Sequence, residues 1–130
     1  MSEHPNVARL REGYEAFTKG DLPALDGLFA EDVRWHVPGR GPLAGTYEGR
    51  AAVYETLGRL MQLTEGSFRI DVRWLLADDE HGAAAVEASA HRGDRTFTVT
   101  NAHLFRFAGD RVAEFWETSG DQYAQDALFD

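Results

Sequence analysis

The sequence predicts a single α+β domain in which helices lie on one side of a mostly antiparallel sheet. Apolar residues recur at helical spacing near the N-terminus, and apolar and polar residues alternate beyond Gly66. Turns that contain Gly separate the alternating segments. The predicted order is helix, helix, strand, helix and then four strands in hairpins. The 130 residues suit one domain, residues 1–130, with a real hydrophobic core.

The first two helices are predicted from their apolar spacing and from their ends. Between Asn6 and Lys19 the apolar residues are spaced three, four and three apart, which is typical of an amphipathic helix. Gly20 ends this helix, and Asp21 caps a short second helix that has Pro23 in its first turn. The buried face of this second helix is expected to comprise Leu22, Leu25, Leu28 and Phe29. Glu31 and Asp32 are then expected to turn the chain.

The stretch from Trp35 to Gly49 combines the end of a strand with a Gly- and Pro-rich loop. The strand is predicted from the alternation of Val33, Trp35 and Val37 with Arg34 and His36. A loop this long and constrained is typical of a functional segment, so we expect it to form the lip of a pocket. A third helix is predicted from about Arg50 to Thr64, and Gly66 ends it.

Four strands are predicted in the second half of the chain. The first alternates apolar residues with polar ones, the apolar set being Phe68, Ile70, Val72, Trp74 and Leu76. The second runs from Gly82 to His91 and is rich in small residues, and a hairpin turn at 92–94 leads into a long strand, Arg95 to Phe107. The last strand runs from Arg111 to Thr118, and hydrophobicity allows either of its faces to be buried. Residues 121–129 are expected to form a helical turn or a tail.

The composition excludes several classes of function. The net charge is −9 at pH 7, and we expect no nucleic acid or membrane partner because both require basic patches. The chain has no Cys and its His residues lack metal-ligand spacing, so neither disulfides nor a metal site is expected. No apolar run approaches the roughly 20 residues of a membrane span. The segment from Met1 to Pro5 is unlike a signal peptide, so a cytoplasmic protein is expected.

Several local strings, in their order and spacing, resemble the SnoaL-like branch of the NTF2-like superfamily, which also contains the ketosteroid isomerases. They are Gly20 to Leu22, Leu28 to Val33, Trp35 to Gly39, Pro42 to Gly45, His103 to Phe107 and Glu114 to Glu117. The resemblance covers nearly the whole chain and is specific for a fold rather than for a reaction. It implies a curved, mixed, mostly antiparallel sheet wrapped round a long helix, with a cone-shaped, apolar internal cavity. It also implies a homodimer formed through the outer face of the sheet.

The ketosteroid isomerase machinery does not carry over to this chain. The position of the catalytic base, just before Pro38, is occupied by Val37, which cannot move a proton. The position of the oxyanion tyrosine falls at Gly13, with Tyr14 one residue away on a different face of the helix. The position of the oxyanion aspartate falls at His103. The resemblance therefore implies a relative in which the isomerase chemistry is absent or replaced.

The long strand supplies the first candidate site residues. One of its faces is expected to look into the cavity and comprises Phe97, Val99, Asn101, His103, Phe105 and Phe107. A histidine among aromatic residues can act as a general acid/base or as an oxyanion donor, and His103 is the first candidate. The alternative is a core histidine that one hydrogen bond satisfies. Asn101 and Phe105 are expected to contact the substrate.

Other walls of the pocket are expected from the first strand, the third helix and the last strand. Trp35 offers a flat surface and an indole N–H, and it shares a face with Val37. Tyr54 and Phe115 are also expected to contact the substrate. His36 is a weaker catalytic candidate because alternation places it on the opposite face.

Two carboxylates are candidates for acid/base roles. Glu117 qualifies if its face of the last strand is the inner one, because apolar neighbours raise the pKa of a carboxyl group. The alternative is an exposed strand carboxylate. Asp121 is the nearest match to the acid/base aspartate that some SnoaL-like cyclases carry near the C-terminus. The alternative is that Asp121 caps a helix.

These features favour a small, cofactor-independent enzyme that acts on an apolar, oxygenated small molecule. The chemistry expected is proton transfer or carbonyl polarisation, as in an isomerase, cyclase, dehydratase or hydrolase. The alternative is a non-catalytic ligand-binding or dimerisation module of the same fold, which the absence of a base at Val37 favours. A weaker third interpretation is a protein-interaction module of the nuclear-transport-factor kind.

Overall fold

The computed structural model describes residues 3–130. Met1 and Ser2, which begin the segment that is unlike a signal peptide, lie outside the described residues. The helices are α1 (Pro5–Lys19), α2 (Leu22–Leu28), α3 (Arg50–Leu63) and α4 (Gln122–Ala127). The strands are β1 (Phe29–Val37), β2 (Gly45–Glu48), β3 (Arg69–Ala77), β4 (His81–Arg92), β5 (Arg95–Ala108) and β6 (Arg111–Ser119). The predicted α+β fold class is confirmed.

A single mixed sheet carries the fold, with the strand order β2-β1-β6-β5-β4-β3. Neighbouring strands are antiparallel except β1 and β6, which run parallel. The parallel pairing brings the N-terminal strand beside the C-terminal one, with Trp35 opposite Phe115. Residues that face each other across a sheet share one side of it, so the two aromatic rings lie on the same inner face.

The helix ends follow the signals in the sequence. Gly20 ends α1 with a left-handed φ of 69°, which glycine adopts without strain. Asp21 caps α2 by accepting a hydrogen bond from the amide of Ala24 at 3.3 Å. The predicted burial of Leu22 was wrong, because this first residue of the helix is 44% exposed. Leu25, Leu28 and Phe29 pack in the core as predicted, although Phe29 begins β1 rather than belonging to α2.

The region around the Gly/Pro loop contains more strand than the sequence predicted. Glu31 and Asp32 lie within β1 rather than in a turn, at a point where the pairing with β6 changes register. Residues 45–48 form β2, which pairs antiparallel with β1 and places Tyr47 opposite Trp35. This short strand has the Gly-containing composition of a loop, and its pairing partner rather than its own sequence makes it a strand.

A bulge in β3 overturns the predicted alternation along that strand. The pairing with β4 shifts between Val72 and Trp74, so one residue, Arg73, is left over. An extra residue moves every later side chain to the other face. Trp74 and Leu76, which alternation groups with Ile70 and Val72, therefore lie on the other face and are 51% and 63% exposed.

A second register shift settles which face of β6 is the inner one. Phe107 pairs with Val112, whereas Arg106 pairs with Glu114, so Ala113 is the extra residue. Val112 on one side of the shift and Phe115 on the other are both buried. Hydrophobicity could not distinguish the two faces of β6, and each of them is in fact buried over part of the strand. Before the shift the buried face carries Val112, and after it the buried face carries Phe115.

The helices of the described residues do not include a membrane span. None of them is both long enough and apolar enough to cross a lipid bilayer.

The chain turn at Gly120 depends on the absence of a side chain. A Cβ at this position would lie 2.5 Å from the carbonyl oxygen of Thr100, which already accepts the amide of Gly120 at 2.8 Å. We expect Gly120→Ala to lower the free energy of unfolding by about 2 kcal/mol, since backbone atoms must move to relieve the overlap. Gly58→Ala is the control, because a Cβ on this α3 glycine meets nothing within 4 Å. Urea unfolding should show Gly58→Ala stabilised by up to about 1 kcal/mol, and equal effects of the two substitutions would contradict this account.

Candidate functional site

A pocket of about 140 Å³ lies between the inner face of the sheet and the helices. Its walls are mostly apolar, and the aromatic ones include Phe17, Trp35, Phe97, Phe105, Phe115 and Phe129. Polar side chains also reach its surface, and they are Tyr14, Thr56, His103, Glu117, Gln122, Gln125 and Asp126. An apolar pocket with a few convergent polar groups is the usual form of a small-molecule site.

His103 and Tyr14 form a hydrogen bond inside this pocket. His103 lies on the inner face of β5 and is 4% exposed. Its Nδ1 atom is 2.6 Å from the hydroxyl oxygen of Tyr14, which reaches across from α1. The two rings also stack, with centroids 5.9 Å apart. This hydrogen bond fixes the plane of the imidazole ring. The other ring nitrogen, Nε2, takes no part in it.

Glu117 faces the free nitrogen of His103. The register of β5 and β6 places the two residues opposite each other, and Glu117 Oε1 lies 3.7 Å from His103 Nε2. That distance is longer than a hydrogen bond. The carboxylate and the imidazole therefore face the pocket side by side, each with an atom available to a third group.

The electrostatics of the pocket keep the Tyr14 phenol protonated. Burial raises the pKa of Tyr14 far above its ordinary value, and the negative charge of Glu117 raises that pKa further. A protonated phenol can donate its hydrogen bond to Nδ1 of His103. An imidazole that accepts this bond at Nδ1 carries its proton on Nε2, the ring nitrogen that lies 3.7 Å from Glu117. The arrangement thus provides an N–H donor and a carboxylate at one place in an apolar cavity.

Stacked and edge-on aromatic rings form the wall beside these groups. Trp35 stacks on Phe115 with ring centroids 3.7 Å apart and planes 18° apart. Phe115 also meets His103 and Phe105 edge-on, at 4.9 Å and 5.4 Å. Packing of this kind holds the imidazole among apolar surfaces, where hydrogen bonds and charges act more strongly than in water.

Six of the nine residues predicted for the site line the pocket. They are Trp35, Val37, His103, Phe105, Phe115 and Glu117. A seventh, Asn101, is buried on the same inner face of β5 and is not among the residues that line the pocket.

Asp121 and Tyr54 lie away from the pocket, contrary to the expectations for them. The carboxylate of Asp121 accepts a hydrogen bond from the amide of Ala124 at 3.0 Å and so caps α4, which was the alternative interpretation. The hydroxyl of Tyr54 donates to Oδ1 of Asp26 at 2.6 Å, on the side of α3 that faces α2. Helix periodicity sends Thr56, Leu57 and Leu60 into the pocket instead.

The sequence did not identify Tyr14 as a site residue. The alignment with the isomerases pointed to Gly13 and treated the neighbouring Tyr14 as facing elsewhere. In the structure both residues line the pocket, and the hydroxyl of Tyr14 reaches His103 on β5. The signal was present in the spacing of α1, where Tyr14 follows Leu10 by four residues on the buried face.

The Gly/Pro loop and α4 both contribute to the wall of the pocket. Pro38, Gly41, Leu43 and Ala44 line the pocket from the loop. The carboxylate of Asp126 on α4 accepts the amide of Arg40 at 3.3 Å, and within the helix it also accepts the side-chain amide of Gln122 at 3.0 Å. The C-terminal helix, which was expected only as a turn or a tail, is therefore joined to the loop beside the pocket.

His36 occupies the opposite face of the sheet. Its Nε2 atom lies 2.6 Å from Oε2 of Glu114, and its Nδ1 atom lies 2.9 Å from the hydroxyl of Thr46. The hydrogen bond to His36, with a further one from Arg106, holds the pKa of Glu114 below its ordinary value. His36 is therefore part of a surface network, and it does not line the pocket.

Metal ligation has no evident place in this arrangement. Within residues 3–130, no three or more His, Cys, Asp or Glu side chains are grouped so that they could hold a metal ion.

Comparison with known proteins finds a matching domain family, sequence relatives and solved structures of similar fold. The SnoaL-like domain family matches residues 10–115. An uncharacterised protein of Mycobacterium tuberculosis is 28% identical over 130 residues, which is 99% of each chain. Bal32a, from a soil-derived mobile gene cassette, is 34% identical over 96% of each chain with a TM-score of 0.92. IdmH of Streptomyces antibioticus, provisionally named a polyketide cyclase, is 19% identical over 97% of this chain and 96% of its own, with a TM-score of 0.75.

A titration of the four tyrosines would test the state of Tyr14. Burial also raises the pKa of Tyr54, and its hydrogen bond to Asp26 adds to the effect. We expect neither Tyr14 nor Tyr54 to ionise near pH 10, where an unperturbed tyrosine does, so each Phe variant should leave the native tyrosinate absorbance unchanged. The unfolded chain loses these protons near pH 10 and the folded chain does not, so stability should fall as the pH rises above 10.

Absorbance at 295 nm and circular dichroism, recorded together, would check both statements. Tyr123 is 89% exposed, and Tyr123→Phe is the control for the loss of a tyrosine outside the pocket. A Tyr14→Phe variant that loses native tyrosinate absorbance near pH 10 would contradict the protonated, donating phenol.

Proposed function

The chain belongs to the SnoaL-like domain family, and from that premise we propose that it is an acid–base enzyme that removes and returns a proton next to a carbonyl group. The substrate class is a flat, apolar, oxygenated small molecule. The observation that carries the proposal is the group formed by Tyr14, His103 and Glu117, which combines a carboxylate with an N–H donor inside an apolar pocket.

Glu117 is the base in this proposal. Its carboxylate takes a proton from the carbon next to the carbonyl, the C–H bond breaks, and its electron pair forms the C=C bond of an enolate. Negative charge moves onto the carbonyl oxygen. Where a C=C bond of the substrate is conjugated with the enolate, the same carboxylic acid can return the proton to the far carbon of the resulting dienolate, which gives an isomerisation. Alternatively, the enolate carbon can attack a second carbonyl of the same molecule: a C–C bond forms, the π bond of that carbonyl breaks, and its oxygen takes the proton back from Glu117, which gives a ring with a hydroxyl group. Neither route requires an oxidant or a cofactor.

His103 stabilises the charge that develops on the oxygen. Its Nε2–H donates to the enolate oxygen, while the hydroxyl of Tyr14 holds Nδ1 and so fixes the tautomer. The proton of the neutral imidazole is available without a change in its charge. Removal of such a donor typically costs about a hundredfold or more in kcat.

The shape of the pocket supports a flat substrate. The stacked pair of Trp35 and Phe115 offers a planar surface beside His103, and further aromatic rings enclose the remainder. The provisional name of IdmH supports cyclisation as one form of this chemistry, although the likeness to IdmH is one of fold alone. The 34% identity with Bal32a supports the fold and carries no reaction with it.

A non-catalytic ligand-binding protein is the second candidate function. It is favoured by Val37, which lines the pocket at the position where the isomerase relatives would have their base. In that case Glu117, 3.7 Å from His103, would serve only as a negatively charged neighbour of the imidazole and would not act as a base. The two candidates differ in whether a bound ketone exchanges its protons.

Hydrogen exchange on a probe ketone would separate the two functions. With 2-tetralone in D₂O, we expect the protein to accelerate exchange of the protons next to the carbonyl, as followed by proton NMR. Glu117→Gln should lower kcat/KM by about a hundredfold or more because the base is lost. His103→Asn should lower it by a similar factor through loss of the positioned donor.

Binding of 2-naphthol, followed by fluorescence, would show whether each variant retains its pocket. Asp121→Asn is the control, since asparagine caps a helix as well as aspartate does and should leave both exchange and folding unchanged. Exchange that survives both Glu117→Gln and His103→Asn would overturn the proposed chemistry. Probe binding by wild type without any exchange would establish the non-catalytic function instead.

We also propose that a second copy of the chain covers the outer face of the sheet. The register across the strands groups apolar side chains on that face, and they are Trp74, Leu76, Ala83, Ala85, Ala102, Leu104 and Trp116. Leu76 and Trp74 are more than half exposed and Leu104 is 43% exposed. A self-complementary apolar face is suited to a two-fold dimer, because the same patch serves both partners.

Light scattering after size-exclusion chromatography would test the dimer. We expect wild type to have twice the 14.5 kDa mass of the chain and Leu104→Arg to shift toward the monomer. Leu22→Arg is a matched control, because Leu22 is 44% exposed on α2, away from the sheet. A monomeric wild type, or a Leu104→Arg variant as dimeric as the control, would refute the interface.

A further inference from the structure

The wall of the pocket that α4 forms carries polar groups that the proposed chemistry does not use. Gln122 and Asp126 lie one turn apart on α4, and both line the pocket. Each is partly exposed, so a molecule in the pocket can contact it. Among the described residues that line the pocket, Glu117 is the other carboxylate, and none is a lysine or an arginine. The lining therefore favours ligands that are neutral or positively charged over anions.

The carboxylate of Asp126 is held in place from two sides. Gln122 donates its side-chain amide to Oδ1 at 3.0 Å, and the backbone nitrogen of Arg40 lies 3.3 Å from both carboxylate oxygens. The loop comes this close because Gly39 has no side chain, and a Cβ there would lie 2.5 Å from Oδ1 of Asp126. The carboxylate is therefore fixed beside Gly41, which also lines the pocket.

These contacts leave the Asp126 carboxylate able to accept a further hydrogen bond. A carboxylate offers about four acceptor positions, and the amides of Gln122 and Arg40 are two donors. Neither amide carries a charge, so neither balances the negative charge of the carboxylate. Hydrogen bonds to a charged group are stronger than those between neutral groups, and they are strongest beside apolar surfaces. A donor group of a ligand therefore suits this position.

We propose that Asp126 determines specificity by binding a hydrogen-bond donor of the ligand, a hydroxyl or an ammonium group, at the wall of the pocket formed by α4. Gln122 is a positioning residue, because it holds Oδ1 of this carboxylate. The inference deepens the proposed function and rests on it for the assignment of the reacting carbonyl to His103 and Glu117. It narrows the substrate class to apolar molecules that carry a donor group besides that carbonyl and that carry no carboxylate.

Four derivatives of 2-naphthol that differ only in the group at carbon 6 would test this specificity. The groups are hydroxymethyl, aminomethyl, ethyl and carboxylate, of which the first two donate, the third is inert and the fourth is an anion. In fluorescence titrations at pH 7 we expect wild type to bind at least one donor probe about tenfold more tightly than the ethyl probe, the value of one good hydrogen bond to a charged group. The carboxylate probe should bind more weakly than the ethyl probe. Tighter binding of the aminomethyl probe would identify an ammonium ligand, and tighter binding of the hydroxymethyl probe a hydroxyl ligand.

Asp126→Asn should abolish most of the preference for the donor probes. Asparagine keeps a carbonyl oxygen for the amides of Gln122 and Arg40, so the contact with the loop persists while the charge is lost. Asp121→Asn is the matched control, because it changes the net charge equally and keeps the cap of α4, and Asp121 is not among the residues that line the pocket. Glu117→Gln should also keep the preference, since Glu117 is the carboxylate assigned to the reacting end.

Binding of the ethyl probe shows whether each variant keeps its pocket. If Asp126→Asn loses that binding as well, Gln122→Leu decides the matter, because it leaves Asp126 in place and should lower the donor preference by loosening the carboxylate. A preference that survives in the variant so tested would overturn the inference. So would a preference that Asp121→Asn or Glu117→Gln removes equally, a wild type without preference, or a wild type that binds none of the probes.

These titrations report binding alone and are independent of catalysis. If Glu117→Gln leaves ketone exchange intact while Asp126→Asn loses the donor preference, the proposed chemistry fails and the role of Asp126 stands. If exchange depends on Glu117 while the donor preference survives Asp126→Asn, the role of Asp126 fails and the chemistry stands.

Discussion

The register shift in β6 is the constraint on which the site depends. The extra residue, Ala113, allows Val112 to fill the core near the end of β5 while Phe115 and Glu117 face inward farther along the strand. Without that residue the later part of the strand would turn its other face inward, and Trp116 would replace Phe115 against Trp35. Glu117 would then lie on the outer face, remote from His103. One additional residue thus fixes both the aromatic wall and the carboxylate.

The polar groups of the pocket are held by their partners to very different degrees. Tyr14 and His103 satisfy each other at 2.6 Å, and this bond joins α1 to the sheet from inside the core. Glu117 approaches His103 without a hydrogen bond, and Asn101 has no partner among residues 3–130. Satisfied groups stabilise the fold, whereas unsatisfied ones cost stability. Tyr14 therefore holds His103 in position, whereas Glu117 keeps an atom that can meet a ligand under the proposed chemistry.

The sequence predicted those features of the fold and the site that follow from the spacing of residues along one helix or strand. The period of two along β5 placed Asn101, His103 and Phe105 on one face, and the structure confirms that face as buried. Asp121 was ambiguous between a cap and a catalytic acid, because both roles suit the same residue before a short helix. The bulge at Arg73 could not be foreseen, since it depends on the partner strand and leaves no mark in the hydrophobic pattern. Tyr14 was not predicted because the resemblance to the isomerases points to Gly13, although the helix period places Tyr14 on the same face as Leu10.

The position of the carboxylate explains how the fold can dispense with a base at Val37. Strands β1 and β6 are parallel neighbours, with Trp35 opposite Phe115, so both strands deliver side chains to the same wall of the pocket. Val37 and Glu117 each lie two residues beyond that aromatic pair, and both line the pocket. A carboxylate on β6 therefore reaches a space close to the one that a carboxylate before Pro38 would occupy. Under the proposed chemistry the base lies on β6, at Glu117, instead of on the neighbouring strand β1, at Val37. His103 on β5 supplies the hydrogen-bond donor that an aspartate supplies in the isomerases.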